Sequence, residues 1–174
     1  MNILKELDRI GWFREFPPAE RVRLERAYAS INTGDPTSAF QALAVTSFDP
    51  ECIEGVGPDP CSYYSIVTQL ASVSYGIFRP NDVKDALDPS NGIASISFEH
   101  GGKLYECTMP FEDDWVQQGV IDLINQAIRN SGKHSQFLPL PLCDQTIYLV
   151  LVPPDILDAA IGAGLVPQEH LIDE

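Results

Sequence analysis

Apolar residues recur at helical spacing from the start of the chain. Ile3, Leu4, Leu7 and Ile10 form one stripe that stops at Gly11 and predicts a first helix. Pro17-Pro18 then breaks the chain, and Pro18 suits the first turn of a second helix over 18–32, where no helical N–H is missed. Leu24, Tyr28 and Ile31 make its apolar stripe, with Arg21, Arg23, Glu25 and Arg26 around the rest, and Asn32-Thr33-Gly34 stops it. Asp35-Pro36 predicts the cap and first turn of a third helix, with Phe40 and Leu43 on its buried side.

Residues 46–60 (TSFDPECIEGVGPDP) interrupt the pattern and read as an acidic, Pro/Gly-rich linker. Asp59-Pro60 repeats the cap-plus-proline start, and Tyr63, Ile66, Val67, Leu70 and Val73 predict a helix from about 60 to 75. Its Ser, Thr, Val and Tyr content suits a strand as well. A short helix is expected at 81–87, ending at Asp88-Pro89.

Periodicity then changes from helical to alternating. Ala94, Ile96 and Phe98 share one face with Ser95 and Ser97 on the other; Gly101-Gly102 turns the chain; and Tyr105, Cys107 and Met109 share a face on the return, which predicts a β-hairpin. The strongest helical stripe of the chain follows, Val116, Val120, Leu123, Ile124, Ala127 and Ile128, predicting a helix over 115–130 capped by Asp113 or Asp114. Pro139 and Pro141 confine 137–142 to an edge strand or extended segment. The stretch Ile147–Val152 is apolar on both faces, as a central strand would be, and Pro153-Pro154-Asp155 opens a last short helix. The expected fold is α+β: a helical N-terminal third (1–45), the acidic linker (46–60), and a body (61–174). In that body a small, mostly antiparallel sheet carries a long amphipathic helix packed on one face, the whole expected to compact as one domain.

Composition agrees with a folded core, at 44% hydrophobic residues in 174. No apolar run approaches the length of a bilayer span, and the first ten residues, with Lys5, Glu6, Asp8 and Arg9, hold no secretory h-region. A cytoplasmic protein is expected. Charge adds more. The formal net charge is −14, and it is uneven: residues 1–26 carry six bases against five acids, whereas 27–174 carry twenty acids against five bases. Such a field repels nucleic acid and anionic lipid and attracts basic partners.

Catalytic and metal motifs are sparse. His100, His134 and His170 stand far apart and read as exposed loop residues; a Cys107–His100 nucleophile pair is a remote alternative. Cys52, Cys61, Cys107 and Cys143 form no Cys-x-x-Cys, and only a Cys52–Cys61 bridge is worth holding open. The Asp88 to Glu99 run lacks glycine at the sixth position of a calcium loop and reads as a turn. No catalytic residue, metal or cofactor is expected. The remaining chemistry is carboxylate: Asp49, Glu51, Glu54 and Asp59 in the linker, Glu112, Asp113 and Asp114 before the long helix, and Asp155 and Asp158 near the last one, the latter two clusters fitting helix caps. Trp115 is expected to fill core, and of Tyr63 and Tyr64 only one can face inward.

The stretch from Ser95 to Val152, with its hairpin, Asp114-Trp115 helix start, Leu123 and Asn125 on the helix, Phe137 after it and Asp144-Gln145 before the final strand, resembles small acidic bacterial proteins from toxin-neighbouring genes. That resemblance implies a non-catalytic immunity or antitoxin-type binder. The leading expectation is therefore a non-enzymatic acidic protein that docks a basic protein partner through Asp49, Glu51, Glu54, Asp59, Tyr63, Tyr64, Glu112, Asp113 and Asp114. An adaptor that forms homo-oligomers through its N-terminal helices is the alternative, and an enzyme with a Cys or carboxylate site the third reading.

Overall fold

A computed structural model describes residues 2–30, 36, 39–40, 46–49, 51–111, 115–140 and 146–167. The fold is α+β, and the chain divides into two compact units. Both ends, Met1–Ser47 and His134–Glu174, build the first unit, and the intervening Phe48–Lys133 builds the second.

In the first unit α1 (Ile3–Ile10) runs as its stripe predicts. Asn2 caps it by accepting the Lys5 N–H at 3.2 Å, and Gly11, at φ 98°, turns its own N–H back onto the Leu7 and Asp8 carbonyls. Helix α2 (Pro18–Ser30) begins at the expected proline and buries Leu24. Ile31, the 32–34 stop and the side chain of Tyr28 lie outside the described residues. Pro36, Ala39 and Phe40 are helical, and the rest of the expected third helix, Asp35 and Leu43 included, also falls outside. Trp12 meets Phe40 edge-on at 5.6 Å.

A three-stranded sheet completes this unit. It consists of β1 (Thr46–Phe48), β5 (Gln136–Pro139) and β6 (Ile147–Val152) in the order β1-β6-β5. The apolar β6 is central, with Leu149, Val150, Leu151 and Val152 buried, and the proline-bearing β5 takes an edge antiparallel to it. Pro154 stands in the first turn of the last helix, α5 (Pro154–Gly162), which lies beside α1.

The 46–60 stretch ends the first segment of the first unit and opens the second unit. It supplies β1, and its Ile53 has no exposed surface. The ambiguous segment after it is a helix, α3 (Tyr63–Val73), started by Ser62 accepting the Ser65 N–H at 3.0 Å and not by Asp59. Next come β2 (Asn81–Asp88), β3 (Ile93–His100) and β4 (Lys103–Pro110), an antiparallel sheet in chain order. The β3–β4 hairpin keeps the expected faces, and Gly101 and Gly102 turn it at φ 58° and 75°, a region open to glycine at no steric cost.

Three expectations need correction. Residues 81–88 are strand, not helix: Lys, Ala, Leu and Asp favour helix locally, but pairing along β3 from Asp88↔Ile93 to Lys84↔Ser97 overrides that preference. The described residues form two small sheets instead of one. The long helix, α4 (Gln118–Asn130), starts three residues later than expected, with Gln117 in the N-cap position and no side-chain cap bond from it; Asp113 and Asp114 lie outside the described residues. Helix α4 lies beside β4, where a side chain at Gly119 would press on the Met109 sulfur at 3.2 Å.

Candidate partner-binding surface

The expected site residues divide into three groups. Asp49, Glu51, Glu54 and Asp59 are all exposed, in the second unit. Tyr63 is fully buried and so is not presented, correcting one of the two tyrosines; Tyr64 is half-buried. Glu112, Asp113 and Asp114 lie outside the described residues.

The loop that carries the first group is tightly built. Asp49 accepts the Glu51 N–H and Asp59 accepts the Cys61 N–H, each at 2.9 Å, so both carboxylates fix their own turns. The Glu54 and Gly55 N–H groups converge on the Cys61 carbonyl, each at 2.9 Å. A Cβ at position 55 would stand 2.6 Å from the Asp59 carboxyl carbon, which explains the glycine. From β2, Asp85 reaches over to accept the Gly57 N–H at 2.7 Å and the Tyr64 N–H at 3.0 Å. One carboxylate thereby fastens the loop and satisfies an orphan donor in the first turn of α3. Nothing in the sequence singled out Asp85, because its role depends on a strand that local preference hides.

Trp115 is the second correction: it is 45% exposed, not core. Its backbone is nonetheless held. Glu51 and Trp115 form an isolated antiparallel bridge, while the buried Tyr63 hydroxyl donates to the Trp115 carbonyl at 3.3 Å and accepts the Gln117 N–H at 3.2 Å. The structure thus brings Glu51 of the linker and Trp115 together. Burial pushes the Tyr63 phenol up, partly offset by the Gln117 N–H.

Four ion pairs of the basic N-terminal segment are formed within the first unit. Arg9 pairs with Glu6, Arg14 with Asp155, Arg21 with Asp8 and Arg23 with Glu20, all inside the first unit. None of these pairs engages Asp49, Glu51, Glu54 or Asp59. The second unit carries thirteen acids against five bases.

Other candidate chemistry lies elsewhere. Cys52, Cys61 and Cys107 are free thiols, and Cys143 lies outside the described residues. Burial, with Cys61, Asp49 and Glu54 adding, pushes the Cys52 thiol up to about 11, and burial also raises Cys107. His100 is buried, not a loop residue: its Nδ1 faces the Arg79 N–H at 3.3 Å, and its ring packs 5.4 Å from Phe78. In the hairpin register His100 pairs with Lys103 and Cys107 with Ile96, about 13 Å apart along the strand at ~3.4 Å per residue, too far for a nucleophile pair. The Asp88 carboxylate accepts from Ser90 Oγ at 2.6 Å and Asn91 Nδ2 at 2.7 Å, closing a turn and not a calcium loop. Those hydrogen bonds hold its carboxyl below the usual range. An open groove of about 520 Å³ on the outer face of the second sheet is lined by Ser95, Ser97, Glu106 and Thr108. Among the described residues no group of three His, Cys, Asp or Glu is placed to hold a metal ion, and no helix is long and apolar enough to cross a membrane.

No family model, curated protein or solved structure matches the chain.

Proposed function

We propose that this chain is a non-enzymatic acidic binding protein, of the immunity type, that inhibits a basic protein partner by docking it on the second unit. The observation that carries this reading is the Glu51–Trp115 bridge, which sets an exposed aromatic ring beside an exposed carboxylate on a loop that also carries exposed Asp49, Glu54 and Asp59. Interfaces of this kind gain association rate from opposite potentials and affinity from a few central side chains, with Trp prominent among them. Helix α4, packed on the sheet of the second unit, is the rigid backing of that surface. A bacterial cytoplasm, where a toxin-type partner would be made beside its inhibitor, is the setting this reading assigns.

The test is the association rate of the chain with the basic product of a neighbouring gene. Changing Asp49, Glu51 and Glu54 together to Lys should slow association by about tenfold or more at low salt. The melting temperature should fall only slightly, by the loss of the exposed Asp49 turn bond, since exposed substitutions of this kind otherwise cost little. The wild-type rate should fall between roughly 20 and 200 mM salt. A large fall in melting temperature with no change in rate would assign the three carboxylates to structure instead.

A further inference from the structure

We infer that Trp115 and Glu51 together form a receptor for a single arginine side chain of the partner. The inference rests on the reading of the second unit as a docking surface and names the chemistry at its centre.

Residues directly opposed in an antiparallel bridge project their side chains to the same side, with Cβ atoms about 4.5–5.5 Å apart. The bridge between Glu51 and Trp115 therefore puts a carboxylate and an indole next to each other, and both are exposed. An indole face attracts a cation, most strongly a planar guanidinium that can stack on it, while the neighbouring carboxylate accepts two N–H bonds from the same group. Lysine offers a compact, strongly hydrated charge that fits this pair less well.

Exposed tryptophans are ordinarily mobile, and ordering one on binding costs entropy. Here that cost is reduced in advance. The backbone of Trp115 is held on one side by Glu51 and on the other by the Tyr63 hydroxyl, which itself has no exposed surface. Two features of the loop fix the other half of the receptor: the Asp49 turn holds the Glu51 N–H, and buried Ile53 roots the chain two residues on. Exposed Val56 and the Asp59 and Glu54 carboxylates lie on the same loop and supply the surrounding potential.

The full chain would be titrated with two eight-residue peptides in which glycine alternates with four arginines or with four lysines, at about 150 mM salt. Intrinsic fluorescence and calorimetry are the readouts. Trp12 is 3% exposed, so a change in emission reports Trp115. The arginine peptide should bind about fivefold more tightly than the lysine peptide and quench the emission. Trp115→Ala should abolish that preference, Trp115→Phe should restore part of it, and Glu51→Gln should weaken the arginine peptide more than the lysine one. Melting curves of each variant keep loss of fold apart from loss of binding. Equal binding of the two peptides, or an arginine affinity unchanged in a folded Trp115→Ala, would overturn the receptor and leave the broader docking surface standing. Failure of both peptides to bind even at low salt would overturn both.

Discussion

At the residue scale, two buried or half-buried groups hold segments that the hydrophobic pattern alone would leave loose. The Tyr63 hydroxyl serves two backbone groups, and Tyr63→Phe leaves the Gln117 N–H and Trp115 carbonyl without it. A loss of about 1–2 kcal/mol in urea unfolding is expected, with Trp115 emission shifting to the red as its backbone loosens. In the first unit Glu15 accepts the His134 N–H at 3.0 Å, the Ser135 N–H at 2.7 Å and the Ser135 hydroxyl. Burial raises its carboxyl, but these donors outweigh burial and hold it below the ordinary value of 4.5. A carboxylate with a depressed folded pKa stabilises above its unfolded pKa, and that contribution is lost as pH falls through the folded value. Wild type should therefore lose its margin over Glu15→Gln below about pH 4.5, seen as melting curves that converge on acidification. The Cys52 thiol sets a third expectation: its alkylation should stay slow at neutral pH and accelerate only as pH nears 11.

At the scale of elements, the sequence announced those whose signals are local. Helix α1 has a periodic stripe, an Asn cap and a glycine stop; the β3–β4 hairpin has alternation and a Gly-Gly turn; β6 has six apolar residues in a row. What stayed hidden depends on distant partners. Strand β2 reads NDVKDALD and shows its nature only when paired with β3, and α4 starts at Gln117, which offers no side-chain cap to read. The candidate site follows the same division. Exposed acids were legible from composition, but the exposure of Trp115 was not. A tryptophan beside a helical stripe is ordinarily core, whereas this one has its backbone held by Glu51 and the Tyr63 hydroxyl and its ring exposed. Asp85 joins β2 to the loop and to α3, so Asp85→Ala should cost about 2 kcal/mol by stripping two N–H groups of their acceptor. Asp85→Asn should recover part of that, and amide exchange at Gly57 and Tyr64 should quicken in both.

For the whole molecule, the surplus of carboxylates is a source of self-repulsion. Screening relieves it, so the melting temperature should rise by a few degrees as salt increases from about 20 to 200 mM. The division into units has its own outcome for synthesis. The second unit is continuous in sequence, but the first draws β1 from residues 46–48 and β6 from 147–152, so its sheet joins positions about a hundred apart. During translation the residues that face each other in that sheet are separated by the time taken to make the whole inserted unit, some seconds at ~5–20 residues per second. The second unit can thus mature on the ribosome while the amino-terminal helices still wait for their counterpart strand, and the newborn chain meets its surroundings with that half finished first.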